Sequence, residues 1–225
     1  MSNPDLCRER ELAARGWPRI AGIDEAGRGA WAGPVIAAAV ILPLDRSDLE
    51  RVLEGVRDSK VLTPPQREAL YPRILEVALA VGIGGAGPGE VDAHGIVAAT
   101  RAAMVRAIAQ LALPPDALLI DALTLPDVAL PQRSLFYADA LCLSVAAASV
   151  IAKVTRDRIM VALDRLYPGY GLARHKGYGT PEHRLALERR GPAAIHRVSF
   201  APVQALSFIT GDGGLGRTTS GESRR

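Results

Sequence analysis

Three short apolar runs in this chain each end in a carboxylate: IAGIDE at 20–25, ALLID at 117–121 and SLFYAD at 134–139. Runs of this length, bounded by polar residues, suit a strand buried on both faces better than a core helix. A carboxylate closing such a strand sits at the sheet's edge, where the core meets solvent. Three runs with the same ending send several acids toward one edge. That constrains the chain to an α/β arrangement with a negatively charged seam.

The remaining pattern supplies the layers. Residues 34–44 (PVIAAAVILPL) read as a second buried strand, joined to the first by a Gly-rich hairpin connection, and 81–86 as a short strand. A short helix follows Asn3-Pro4 and stops at Gly16. Thr63-Pro64-Pro65-Gln66 has capping-box form with Pro at the first helical position, starting a helix to about Ala78. Residues 92–111 carry helical apolar spacing, ended by Pro114-Pro115. Residues 144–166 form a long helix, apolar all round at first (VAAASVIA) and then charged (KVTRDR), so its first half is interior. Thr180 caps a further helix, closed by Gly191-Pro192. Hydrophobic residues are 48% of the chain and aromatics only 4%, so small aliphatic side chains fill the core. The reading is one domain over 1–209, with 168–209 as a small C-terminal helical extension and 210–225 as a disordered tail.

A net charge of +3 permits a nucleic-acid partner without demanding one. Two cysteines, Cys7 and Cys142, are too few for a disulfide framework or a thiolate metal site; Cys7 reads as a surface residue and Cys142 as a small residue at a helix start. The charged N-terminus lacks an apolar leader, and no apolar run reaches bilayer length. A soluble, cytoplasmic monomer away from membranes is expected.

Converging carboxylates repel unless something positive lies among them. Mg²⁺ and Mn²⁺ prefer oxygen ligands, and two such ions can activate water and steady the leaving oxygen in phosphodiester hydrolysis. Acids after strands also serve as caps and turn residues, so the pattern alone leaves both readings open. The first acidic strand runs directly into Gly27-Arg28-Gly29. Glycines there let main-chain N–H groups approach a sugar or phosphate, and the arginine can pair with a phosphate.

These segments together resemble the type 2 ribonuclease H family of bacterial ribonuclease HII type, over about residues 10–209. The resemblance rests on IAGIDEAGRGAWAGPVIAAAVIL near the start, DSKVLTPPQRE at 58–68, LLID at 118–121, DALCLSVAAASVIAKVTRDR at 139–158, HKGYGTPEH at 175–183 and IHRVSFAPV at 195–203. It implies a ribonuclease-H-like α/β fold, a mixed sheet flanked by helices. It implies endonucleolytic cleavage of RNA in RNA–DNA hybrids and incision 5′ of single ribonucleotides embedded in duplex DNA, leaving 3′-hydroxyl and 5′-phosphate ends. By motif, the acids that hold Mg²⁺ or Mn²⁺, two ions in the reactive complex, are Asp24, Glu25, Asp121 and Asp139. Gly27, Arg28 and Gly29 correspond to the turn that contacts the ribose 2′-hydroxyl and nearby phosphates. Tyr178 corresponds to the tyrosine packed on the next sugar, where a 2′-hydroxyl would clash. Ala138, Ala122, Leu141 and Cys142 depart from the residues common in the family at their positions.

Lys60 reads either as a phosphate contact or as a solvated turn lysine. Lys153, Arg156 and Arg158 lie on the charged half of the long helix and suit substrate contact, or a surface or acid-pairing role; Asp157 suits an ion pair. His175 and His183 lack the spacing and further ligands of a zinc site. Trp17 and Trp31 read as packing residues. Set aside the resemblance, and the acid cluster also suits another phosphoryl-transfer nuclease, such as a junction resolvase, or an inactive nucleic-acid-binding module.

Overall fold

The computed structural model describes residues 3–211. Five strands, β1 (Ile20–Ala26), β2 (Val35–Ile41), β3 (Ala80–Ala86), β4 (Ala117–Asp121) and β5 (Gln132–Leu135), form one sheet in the order β3-β2-β1-β4-β5. β1 and β2 make the expected hairpin, and β2 pairs antiparallel with β3, while β4 and β5 run parallel to β1. The sheet is therefore mixed. The C-terminal ends of β1, β4 and β5 share one edge, and the two acidic strand ends of β1 and β4 meet there.

The helices are α1 (Cys7–Ala13), α2 (Leu49–Val52), α3 (Pro64–Val77), α4 (Pro88–Ala109), α5 (Ala138–Leu141), α6 (Leu143–Leu166), α7 (Leu172–His175), α8 (Pro181–Arg190) and α9 (Ala201–Gly211). One core lies where α6 and α3 cover one sheet face, the other where α4 covers the opposite face. α6 begins on the sheet: a Cβ at Gly22 would collide with the Ser144 backbone, so glycine lets this helix approach β1. Glu9 of α1, wholly buried, accepts hydrogen bonds from the Ser144 N–H at 2.9 Å and hydroxyl at 2.7 Å. Burial raises the Glu9 carboxyl, while these hydrogen bonds at the start of α6, where the first N–H groups lack intrahelical partners, offset part of that. The capping box at Thr63 forms as its spacing requires, with Thr63 N–H donating to Gln66 Oε1 at 2.8 Å.

Three expectations need correcting. β5 covers Ser134 and Leu135 but ends there, so the strand expected over 134–138 stops early and Asp139 does not close it; Tyr137 turns left-handed (φ 59°) and Asp139 falls in the first turn of α5. A four-residue edge strand with one buried neighbour cannot be separated from a following turn by composition alone. Helix α4 starts four residues earlier than expected and is broken at Gly95 (φ 79°, ψ 159°). Arg156 is wholly buried, although it lies in the charged half of α6. The tail read from 210 onward lies outside the described residues, apart from Thr210 and Gly211, which close α9.

Candidate active site

Asp24 and Glu25 close β1, Asp121 closes β4, and Asp139 enters from α5. Asp24 is 1% exposed and Asp139 is also buried. The Glu25 N–H donates to Asp24 Oδ1 at 2.7 Å, and the Ala138 N–H donates to Asp121 Oδ1 at 2.7 Å. The second bond ties α5, and with it Asp139, to the end of β4. Asp24 Oδ2 and Glu25 Oε2 are buried with no hydrogen-bond partner.

Charge is strained here. Burial, then the neighbouring Glu25 and Asp121, hold the Asp24 carboxyl well above the usual carboxylate range. Burial also raises Glu25, with Arg28 offsetting part and Asp121 adding to it. Asp139 is raised by burial and by Asp58, and eased by Lys60. The site's one close lysine responds in kind: burial disfavours the Lys60 ammonium, but Asp24, Asp58 and Asp139 outweigh it and raise its pKa. Lys60 Nζ lies 3.4 Å from Asp139 Oδ2 and 3.8 Å from Asp58 Oδ1. Lys60 is thus an acid-pairing residue at the rim, a role the sequence reading did not contain.

Arg28 Nη1 reaches Glu25 Oε1 at 3.3 Å, which joins the glycine turn to the acids. Gly27 has φ 96°, and a Cβ there would strike the Arg156 guanidinium. Gly29 is different: a Cβ there would meet nothing within 4 Å, so its openness faces outward and serves no packing.

Tyr178 sits apart from the acids but not from the turn. Trp31 and Ala32 N–H donate to the Gly177 carbonyl at 2.8 and 3.3 Å. Arg156 spans both pieces, donating to the carbonyls of Pro34 (2.9 Å), Lys176 (3.0 Å) and Ala32 (3.1 Å), with Cζ 5.3 Å from the Tyr178 ring centre. Arg197, also buried, donates to the carbonyls of Arg28 (2.8 Å) and Gly33 (2.9 and 3.1 Å). Burial, then Arg156, pushes its pKa down to about 10. Beneath Tyr178 lie three buried histidines. His183 Nδ1 meets the Tyr178 carbonyl at 3.0 Å, His183 and His196 share an Nε2–Nε2 hydrogen bond of 3.1 Å, and His175 stacks on His183 at 4.4 Å. Burial lowers His183 to about 4.

Arg156, Arg197 and the histidines were missed as architecture. Arg156 lies four residues from both Ala152 and Met160, on the buried stripe of α6, and that spacing was the available signal. Asp157 pairs with Lys153 at 2.6 Å and with Arg67 at 3.7 Å. Lys153, Arg158 and Tyr178 line a cavity of about 520 Å³ that none of the four acids enters, and Arg158 pairs with Glu68 at 2.5 Å. Cys7 is exposed and Cys142 buried, both free.

A mixed sheet in this order, with carboxylates at the shared end of its parallel strands, is the ribonuclease H class of fold. The crystal structure of ribonuclease H2 from Pyrococcus horikoshii matches with TM-score 0.71 at 28% identity, covering 84% of this chain and 97% of that one. Within the class, the chain belongs to the ribonuclease HII family, whose model matches residues 21–203. Ribonuclease HII of Roseiflexus castenholzii is 54% identical over 202 residues, 90% of each chain. That of Geobacillus thermodenitrificans is 57% identical over 196 residues, 87% of this chain and 73% of the relative. Membership makes the chain an endoribonuclease of the ribonuclease H type, acting on RNA–DNA hybrids and leaving 5′-phosphomonoester ends. No described helix is long and apolar enough to cross a membrane.

Proposed function

We propose that this enzyme also incises DNA duplexes on the 5′ side of a single embedded ribonucleotide, that it depends on Mg²⁺ or Mn²⁺, and that it does so in the cytoplasm as part of ribonucleotide removal. The observation that carries the metal reading is the pair of buried, unpartnered oxygens on Asp24 and Glu25 among carboxyls pushed toward neutrality. A divalent cation relieves both the desolvation and the repulsion. Among the described residues, no three Asp, Glu, His or Cys side chains are gathered closely enough to cage an ion unaided. That suits Mg²⁺, which keeps several waters and commonly takes one or two carboxylates together with substrate phosphates.

Asp24 and Glu25 would hold the cation, with Asp121 and Asp139 beside them, and two ions in the reactive complex. When bound, such ions neutralise the scissile phosphate and acidify the attacking water. The chain's own residues set the register. The main chain of Gly27 and Gly29 approaches the ribose 2′-hydroxyl, the group that separates RNA from DNA at one position. Arg28 exchanges part of its pairing with Glu25 for a phosphate. Tyr178 packs on the next sugar, where a 2′-hydroxyl would not fit. Lys60 balances Asp139 and stands ready for backbone phosphate.

A gel-mapped cleavage assay on a duplex with one ribonucleotide, with Mg²⁺ and with chelator, tests this. The expected cut lies 5′ of the ribonucleotide and requires the ion. Tyr178→Ala should reduce it more than Tyr178→Phe, because the ring and not the hydroxyl does the testing. A cut on the 3′ side, or cleavage of hybrid with none at the single ribonucleotide, overturns the register.

A further inference from the structure

We infer that Phe136 and Tyr137 form a second nucleic-acid contact, holding the duplex on the side of the scissile phosphate away from Tyr178; this rests on the incision register proposed above. Both rings stand in solvent, 78% and 77% exposed, in a chain with only three Phe and five Tyr. Scattered exposed apolar residues need no explanation, but two adjacent aromatics beside an active site do. Among the described residues, the Tyr137 hydroxyl makes no hydrogen bond and neither ring stacks on another. Nothing in the fold uses these side chains.

Their backbone, by contrast, is firmly placed. Ala122 N–H donates to the Leu135 carbonyl at 3.0 Å, Ala138 N–H to Asp121 Oδ1 at 2.7 Å, and Ala140 N–H to the Tyr137 carbonyl at 3.0 Å. Between these ties Tyr137 is left-handed, φ 59°, a conformation that costs a bulky residue free energy and concentrates at functional sites. The main chain that carries the rings is thereby tied to Asp121 through the Ala138 N–H, and Asp139 lies two residues after Tyr137.

The sheet order places them. Along the edge that carries the acids come the start of β2, the end of β1, the end of β4 and the end of β5. The Tyr178 loop is bonded to Trp31 and Ala32, in the β1–β2 connection. Phe136 and Tyr137 follow β5, beyond β4. Acids therefore separate the two aromatic sites. A duplex whose scissile phosphate lies at the acids extends toward Tyr178 on one side and toward Phe136 and Tyr137 on the other. With Tyr178 on the sugar 3′ of the ribonucleotide, the second contact falls on the 5′ flank. Aromatic rings suit that task because they pack on sugars and bases without reading sequence.

The test compares wild type with Phe136→Ala/Tyr137→Asn, since asparagine tolerates the left-handed backbone. Steady-state cleavage is measured on single-ribonucleotide duplexes whose 5′ or 3′ flank is progressively shortened. The double variant should raise KM about tenfold on the full duplex, with a smaller effect on kcat. Shortening the 5′ flank should raise the wild-type KM toward that of the variant and leave the variant little changed. Shortening the 3′ flank should affect both alike. A variant with wild-type KM, or a defect undiminished on duplexes lacking the 5′ flank, overturns the inference. Wild-type protein that fails to cut 5′ of the ribonucleotide overturns the register beneath it instead.

Discussion

Two buried polar regions flank the cleavage edge, and they are built in opposite ways. The Asp24–Glu25–Asp121–Asp139 cluster is under-satisfied: two carboxylate oxygens lack partners and three carboxyls are pushed toward neutrality. The Arg156–Arg197 bracket is nearly the reverse. Its guanidinium groups are spent on the carbonyls of Arg28, Ala32, Gly33, Pro34 and Lys176. A region left in need of positive charge is prepared for chemistry. A region whose hydrogen bonds all end on main chain is a ruler, holding the glycine turn at a set distance from Tyr178. Asp24 and Asp139 are nearly as buried as the two arginines, while Glu25 and Asp121 are partly exposed; hydrogen-bond completion is what separates the regions.

Asp121→Asn breaks the comparison most sharply. It keeps an acceptor for the Ala138 N–H while removing one charge from the cluster. Turnover should fall by roughly a thousandfold or more, while a thermal melt in chelator shows no loss of stability. A marked loss of stability in chelator would mean that the acids support the fold rather than strain it.

Arg156→Met attacks the ruler. Three carbonyls, one buried and two part-buried, lose their donor, at ~1–3 kcal/mol for a buried one left unsatisfied. Denaturant unfolding should show a destabilisation of about 3–5 kcal/mol, and Arg156→Lys should recover only part, since one ammonium cannot span three acceptors in a plane. A loss under about 1 kcal/mol would show that the bracket is dispensable.

The acid cluster and the histidines beneath Tyr178 should also answer pH with opposite sign. The folded chain holds protons on Asp24, Glu25 and Asp139 more tightly than the unfolded chain does. Their penalty is full above the raised folded values and lifts as pH falls through them. His183, at about 4, and His196, lowered by burial, are held neutral in the fold. Their contribution is full above the unfolded value of about 6.5 and is lost as pH falls below it, for His183 toward about 4. Asp24→Asn removes part of the first effect and none of the second. In chelator, the variant should be more stable than wild type near neutrality and lose more of its melting temperature on acidification. Parallel profiles would show that Asp24 carries none of the strain.

The smallest effect concerns Ala122, which follows Asp121 with φ 53°. The left-handed conformation costs a residue with a Cβ ~1–2 kcal/mol, partly offset by the greater freedom glycine loses on folding. Ala122→Gly should raise stability by up to about 1 kcal/mol, read from the denaturation midpoint. A destabilised variant would show that the Ala122 methyl contributes packing worth more than that strain.

Much of this molecule was legible before any coordinates. The alternation of apolar runs with capped helices specified β1, β2, β4, α3 and α6, and the acids at the ends of β1 and β4 followed from where those runs stop. These are local facts: strand length, helical period and a cap four residues long are all read within a short window. Asp139 does lie near Asp121 and Lys60 but was given the wrong element, because a short edge strand and the turn after it share one composition. Arg156 was read as a substrate contact or a surface or acid-pairing cation, and its burial was missed for a related reason. A charged residue on a helix is usually solvated, and its burial depends on acceptors that arrive from residues 32, 34 and 176. No local pattern announces them. The chain's own residues, read in order, determined which side chains are candidates for the chemistry. Only the tertiary structure decided which carboxylate oxygens go unpaired, which arginines become internal ties, and on which flank Phe136 and Tyr137 stand. Those outcomes depend on hydrogen-bond partners far apart in sequence, and such partners meet only when the sheet and α6 have packed.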